Sequence, residues 1–442
     1  MKTYGNRIKK HKREIETALP VHPTEKPVLS FSGINVEGRP DSLCFTEEVL
    51  DKNTLLIGPM GCGKTNTISA ALLQMLSAVK DGPVVVADIK GDYSELLEKY
   101  HIPATYFGIH DHANAWNLFE DLLAWDETLR SAELRAEEFS RALFAKQKCE
   151  AAPYFADAAA ILFSCKLKHM LREADETGDR SRLNNADLAY DLKDMDYYKW
   201  VNILDSYEDF RYALSILNGG DESSKDANAV LSDIAIVTNK IFTEAFAAEK
   251  GSFSPVKFIK SKKSSILVLR NDTSLEERTM PVMSVVLNSM FRALGSRNTS
   301  ANGACFILDE FGRIPNLSAL ETALSLLRGK NVRLIAGMQI SGQIERQKTT
   351  DILPRSLLDL FTNIVYMGGT GEALDYFQHR CGDRQQVKSL ISPDGSIHSQ
   401  FLFRPAVEAE DVMKMKKGDA YVTTSDSDKV FYFHFDKYLP QT

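Results

Sequence analysis

The stretch NTLLIGPMGCGKTNT, residues 53–67, constrains this chain more than any other. An apolar run ends at Gly58 and passes through Pro59, Met60, Gly61, Cys62 and Gly63. Lys64 and Thr65 then open a segment that runs through Asn66 to Lys80, with Ile68, Leu72, Leu73 and Leu76 at helical spacing. Glycines let successive backbone N–H groups turn inward, and a helix starting at once behind them adds its positive end. That combination cradles phosphate oxygens. Lys64 is spaced to reach the β- and γ-phosphates of ATP, and the Thr65 hydroxyl is of the type that ligates Mg²⁺. The bland alternative is a glycine-rich turn, and the strand before and helix behind argue against it.

The next apolar run, GPVVVADIK (82–90), reads as a strand buried on both faces, so strand, helix and strand make a βαβ unit and the core is α/β. Between 118 and 250 the composition turns to Ala, Leu, Glu, Lys and Asp, which predicts an all-α insertion of four to seven helices after the second strand. The core resumes with SSILVLR (264–270), a helix over Met280–Leu294 and the strand ACFILDE (304–310). A helix over Leu317–Leu327, the strand VRLIAGMQ (332–339) and TNIVYMG (362–368) follow. DAYVTTSD (419–426) and KVFYFHF (429–435) read as an antiparallel hairpin at the sheet edge. The expected organisation is a charged arm over 1–27, a nucleotide-binding domain in two parts over 28–117 and 251–442, and the all-α domain over 118–250.

Asp309 and Glu310 close the strand ACFILDE. A carboxylate there can hold the water shell of Mg²⁺, and a second beside it can polarise an attacking water. A solvated acidic pair is the alternative, weakened by the phosphate loop upstream. Gln339 closes VRLIAGMQ, where a polar tip can sense a γ-phosphate. Arg328 begins the turn RGKNVR, either as a cation for phosphoryl-transfer charge or as a helix C-terminal cation. Arg313 is a second arginine candidate. Asp88, Lys90 and Asp92 follow a strand, at the carboxyl end of the sheet where ligands collect.

Composition narrows the class. Lys+Arg 53 against Asp+Glu 60 gives a net charge of −7, which argues against a chain coated in nucleic acid but leaves room for local basic loops. Lys257–Lys263, Lys414–Lys417 and Arg7–Arg13 are such segments, each also readable as a solvated surface. The six cysteines have no metal-ligand spacing and fit a reducing setting. The start is polar and basic with no apolar segment behind it, and the best apolar run, 158–165, is far shorter than the roughly 20 residues a bilayer needs. The expectation is a soluble chain.

GPMGCGKT, ADIKGDYSE (87–95), WNLFEDL (116–122) and PYFADAAAILFSCKL (153–167) occur in order with LDEFGRIP (308–315), LRGKNVRLIAGMQISGQ (327–343) and RPAVEAEDVMKMKKGDAYV (404–422). Together they resemble the coupling proteins of type IV secretion systems, the TraG and TraD group of the FtsK- and HerA-like motor superfamily, over about Val28 to Pro440. The resemblance implies a RecA-like nucleotide-binding domain with a mainly parallel twisted sheet and an inserted all-α domain. It implies an ATPase assembled as a homohexamer, with ATP between protomers, that drives single-stranded, relaxase-linked DNA into a secretion channel. Partners would be the relaxase and the channel's ATPases and membrane subunits. On this resemblance Arg328 looks like a finger acting on a neighbour's ATP, and Gln339 like the group coupling nucleotide state to movement. Members usually begin with transmembrane helices. None is present here, so the chain is expected at the cytoplasmic face of the membrane, through a partner or a missing segment. The competing readings are a receptor for secreted protein effectors, a VirB4- or HerA-like motor, and a nucleotide binder without turnover.

Overall fold

The computed structural model describes residues 15–16, 26–78, 82–125, 128–145, 153–220, 224–261, 264–296, 303–339, 355–391 and 397–437. The charged arm lies almost wholly outside these residues, as do Arg7–Arg13 and the end of Lys257–Lys263.

The strands, in chain order, are β1 (Ile15–Glu16), β2 (Leu29–Asn35), β3 (Pro40–Phe45), β4 (Thr54–Ile57), β5 (Val84–Asp88), β6 (Thr105–Phe107) and β7 (Ile266–Arg270). They continue with β8 (Ala304–Leu308), β9 (Val332–Met338), β10 (Asn363–Tyr366), β11 (Asp383–Ile391), β12 (Ile397–Pro405), β13 (Asp419–Thr423) and β14 (Val430–Phe435). Twelve of them form one sheet in the order β3-β2-β14-β13-β10-β4-β9-β8-β5-β7-β6, with β1 added on β14. From β10 to β6 every pairing is parallel. The strands β13, β14, β2 and β3 extend it antiparallel.

The difference is written in the sequences. Each residue of β4, β5 and β8 is buried, as continuous apolar runs require when helices cover both faces. In β2 burial alternates, with Leu29 and Phe31 inward and Ser30 and Ser32 outward, as in a sheet wetted on one face. The β13–β14 hairpin is antiparallel as expected, but it is not the sheet edge. β2 pairs with β14 and β3 with β2, so the N-terminal strands cover the hairpin. Strand order is a long-range property, and nothing local in DAYVTTSD marks which side will be covered.

The first helices are α1 (Glu47–Leu50), α2 (Lys64–Ala78), which follows the glycine loop, and α3 (Asp92–Lys99), which follows β5. Between β6 and β7 the described residues hold α4 (Leu118–Leu123), α5 (Leu129–Phe144), α6 (Pro153–Thr177), α7 (Asn185–Lys193), α8 (Tyr197–Ser206), α9 (Lys225–Ile241) and α10 (Pro255–Lys260), and no named strand. Side-chain caps start several of them. The Thr128 hydroxyl accepts from Ser131 N, and the Asn184 and Asp196 side chains accept from Asp187 N and Lys199 N. The helices share a core with one sheet face, since Val85, Leu267, Phe163 and Trp200 belong to one buried cluster. The helix α11 (Glu276–Gly295) starts a turn before Met280, because a turn over Thr273–Leu275, capped by Asp272, leads into it. Past β8 lie α12 (Leu320–Leu326), α13 (Arg355–Asp359), α14 (Glu372–Cys381) and α15 (Ala409–Met413).

The chain leaves and re-enters the sheet through one buried knot. Asp121 accepts from the Trp116 indole N–H (2.8 Å), Val256 N (3.0 Å) and the Ser254 hydroxyl, joining the start of the helical region to its end. The Asn117 amide donates to Leu183 O (2.9 Å) and Gly251 O (3.2 Å). These bonds account for the WNLFEDL segment as a structural one.

Burial outweighs the three hydrogen bonds and pushes the Asp121 carboxyl up to about 6. A raised carboxyl pKa means the folded state binds the proton more tightly. Its stabilising effect is complete below the unfolded value near 3.8 and is lost as pH rises through about 6. Urea unfolding of wild type and Asp121→Asn should show the variant gaining about 2 kcal/mol on wild type between pH 4 and pH 7. A difference that stays flat across that range would refute this.

Candidate nucleotide site

The loop Gly58–Gly63 joins β4 to α2 at the carboxyl end of the parallel strands. Gly58 N donates to Met338 O on β9 (3.3 Å), and Gly418 N donates to Cys62 O (2.9 Å) from the turn before β13. Gly63 sits at φ +118, which only glycine adopts readily, and that is the bend sending the chain into the helix. Lys64 is buried. Its Nζ folds back over the loop and donates to Gly58 O (2.6 Å) and Pro59 O (3.0 Å). Met60 stands out from the loop, exposed, and the Asn66 amide donates to Asp436 O (3.3 Å).

Asp309 follows β8 and faces the start of α2. Its Oδ2 accepts from the Tyr93 hydroxyl (2.9 Å) and from the Thr65 hydroxyl (3.4 Å). Its Oδ1 is buried and has no hydrogen-bond partner among the described residues. Burial raises the Asp309 carboxyl above the usual range, against the opposing hydrogen bond from Tyr93. Burial also pushes the Tyr93 hydroxyl well up, so Tyr93 stays a proton donor. A buried carboxylate oxygen without a donor costs roughly 1–3 kcal/mol. Oδ1 packs against Gly337, and Oδ2, shared by Tyr93 and Thr65, is the oxygen on the side of the phosphate loop. With the Thr65 hydroxyl beside Oδ2, the pair fits a hydrated Mg²⁺.

Glu310 is buried and takes a left-handed backbone, φ +54, a strained conformation of the kind stored at functional sites. Its Oε1 is ion-paired with Lys90 and accepts from the Gln339 amide (2.9 Å). Arg313 lies 3.6 Å from its other oxygen and also holds Glu276 at 2.9 Å. The structure thus gathers Lys64, Thr65, Asp309, Glu310, Gln339, Lys90 and Arg313 around one loop.

Other candidates are placed elsewhere. Asp88 does not face the site, because its two oxygens accept Gly91 N, Tyr93 N, Ser94 N and the Ser94 hydroxyl and so organise the start of α3. Arg328 lies in the short 3-10 turn Leu327–Lys330, ahead of β9. Gln339 lies past the far end of that strand, so seven residues of strand, roughly 23 Å at 3.3 Å per residue, separate the two ends.

Residues 41–431 match the family model described as the type IV secretion-system coupling protein DNA-binding domain. The chain belongs to this coupling-protein family. Among solved structures it is similar to the bacterial conjugative coupling protein TrwBdeltaN70 in an unbound form, at TM-score 0.72 and 15% identity, covering 92% of this chain and 89% of that one. It is similar to TrwB in complex with ADP and Mg²⁺ at TM-score 0.73 and 15% identity, covering 99% and 97%. VirB4 of Thermoanaerobacter pseudethanolicus matches at TM-score 0.55 and 11% identity, over 95% and 98%. No curated protein matches the chain. At these identities the solved structures establish the fold, a mixed α/β architecture on a large, mostly parallel sheet.

Two residues of the coupling protein's site escaped sequence reasoning. Tyr93 stands in the quoted ADIKGDYSE segment, but nothing local shows that its hydroxyl reaches across to β8. Gly337 lies inside β9, where a glycine signals close approach of another group. Here that group is Asp309, since a Cβ on Gly337 would lie 2.4 Å from Oδ1. Gly337→Ala should displace the carboxylate, with ATPase activity falling at least about tenfold while overpacking costs about 1–3 kcal/mol of stability. Wild-type turnover in that variant would show that Asp309 needs no such clearance.

Proposed function

We propose that this chain is the ATP-hydrolysing motor of a type IV secretion or conjugation apparatus, and that it moves DNA. The observation that carries the reading is the buried Asp309, its Oδ2 3.4 Å from the Thr65 hydroxyl, at the mouth of a phosphate loop. The family's DNA-binding domain covers most of the chain and supplies the substrate class. TrwB has been captured with ADP and Mg²⁺ and with non-hydrolysable ATP and GTP analogues, which agrees with a triphosphate site here.

Thr65 and Asp309 would hold Mg²⁺, Asp309 through water, and the ion when bound neutralises charge on the β- and γ-phosphates. The loop amides and the α2 N-terminus bind the phosphates, with Gly58 to Asn66 as the lining. Lys64 exchanges the carbonyls of Gly58 and Pro59 for phosphate oxygens. Glu310 polarises the attacking water. Both of its oxygens face cations or amides here, so it serves as a base only after giving up one of those contacts. Gln339 shares Oε1 with Lys90, so a shift of Glu310 towards water is also a shift at the end of β9. Arg328 lies at the opposite end of that strand and acts on the ATP of a neighbouring copy in a homohexamer. The cargo is single-stranded DNA bearing a relaxase, and the helical region over 118–250 is an inserted domain of the motor. No helix among the described residues is long and apolar enough to cross a membrane. Attachment at the cytoplasmic face of the membrane therefore falls to a partner or to a segment outside those residues.

Lys64→Ala should abolish turnover. Glu310→Gln should bind nucleotide normally with kcat reduced about 10²–10⁴-fold, which equilibrium binding and steady-state rates measure together. The ATPase rate should rise faster than linearly with protein concentration, and single-stranded DNA should stimulate it more than duplex. Strict proportionality from dilute, unassembled protein upward would sink the shared site, and indifference to every form of DNA would sink the DNA motor in favour of a receptor for protein effectors.

A further inference from the structure

The signature ADIKGDYSE begins on β5, whereas the acidic pair follows the neighbouring strand β8. We propose that Tyr93 is a positioning residue for the metal-side carboxylate, fixing Asp309 so that Oδ2 stays beside the Thr65 hydroxyl; this rests on the Mg²⁺–ATP reading above.

A carboxylate torsion is broad and roughly two-fold, so an unanchored Asp309 could present either oxygen. Tyr93 breaks that symmetry. Its hydroxyl bonds Oδ2 at 2.9 Å, and the Thr65 hydroxyl lies 3.4 Å from the same oxygen. Both protein donors crowd one oxygen and leave the other bare and buried. Gly337 presents backbone without a side chain, and Oδ1 packs into the space where its Cβ would lie, which holds the carboxylate in this one orientation.

The hydroxyl is itself held in place from behind. The Tyr93 ring is buried in the cluster with Ile68, Leu97, Val86 and Ile307, and so cannot swing away. Its backbone is set by Asp88, whose Oδ1 accepts Gly91 N (3.0 Å) and Tyr93 N (3.3 Å) while Oδ2 accepts Ser94 N (2.8 Å) and the Ser94 hydroxyl (2.6 Å). Gly91 takes φ +88 to make the turn. The chain of support runs from Asp88 to the turn, to Tyr93, to Asp309. It is the outer-sphere arrangement by which proteins orient a carboxylate that serves a metal. A phenylalanine would fill the same volume, so packing alone does not call for the hydroxyl.

The test is binding of a fluorescent ATP analogue to the full chain, titrated with Mg²⁺ and repeated in EDTA. In Tyr93→Phe the Mg²⁺ concentration at half-effect should rise about 10-fold or more, with metal-free binding unchanged. Asp88→Asn, which loosens the turn without touching the site, should shift the Mg²⁺ midpoint in the same direction by less. Circular dichroism and thermal unfolding establish that both variants are folded. A folded Tyr93→Phe with the wild-type Mg²⁺ midpoint overturns the assignment of Tyr93. A wild-type chain that binds nucleotide equally with and without Mg²⁺ overturns the reading beneath it, and the two failures are told apart by which protein shows them.

Discussion

Burying a carboxylate is expensive unless its oxygens are paired, and the nucleotide site is organised around that cost. Asp309 is buried on the sheet, one oxygen satisfied by Tyr93 and Thr65 and the other by nothing in the described protein. The neighbouring strands are shaped to it. β9 carries a glycine where any side chain would collide, β5 runs into the turn that delivers Tyr93, and α2 brings Thr65 alongside. Glu310, next in sequence, meets the opposite treatment. It is surrounded by Lys90, Gln339 and Arg313, so its charge is balanced in the resting molecule. One residue is kept under-satisfied and its neighbour over-satisfied. That asymmetry suits the two roles proposed, since the first keeps Oδ2 beside Thr65 for an ion and the second would trade a protein contact for water.

Much of this site was legible because its parts are local. The phosphate loop is eight consecutive residues with fixed backbone demands, and the acidic pair ends a recognisable apolar strand. The links between the parts were not legible. Tyr93 and Asp309 are 216 residues apart and meet because β5 and β8 are neighbours, a fact decided by strand order and not by spacing. Asp88 shows the converse. It stands at the strand end where ligands collect, yet its oxygens are consumed by the turn it caps. The same limit applies to the fold. Continuous apolar runs announced the parallel core, but β6 is three residues long and too short to carry a period. The β11–β12 hairpin forms a separate two-stranded sheet and left no signal that was read as strand. The placement of β2 and β3 outside the β13–β14 hairpin was likewise invisible.

The helical region adds a mechanical consideration. Its apolar cluster continues into one face of the sheet, and the knot at Trp116, Asn117 and Asp121 ties its first helix to the segment leading back towards β7. The region is therefore fastened at its root and not hung on a loose tether. Sheet and helices share buried contacts that are dense and hard to deform gradually. Movement is more economically taken up at polar contacts, and the ion pairs around Glu310 are the ones adjacent to the phosphate loop.

The cations around the phosphate loop differ in how firmly they are held. Among the described residues, each cation gathered at the loop has an assignment within the chain: Lys64 on the loop carbonyls, Lys90 on Glu310, and Arg313 between Glu310 and Glu276. Lys64 can turn to the phosphates at little cost, because it exchanges neutral carbonyls for charged oxygens. Lys90 and Arg313 cannot do so without uncovering a buried carboxylate, which costs several kcal/mol. Arg328 lies in the turn ahead of β9, at the opposite end of that strand from the loop.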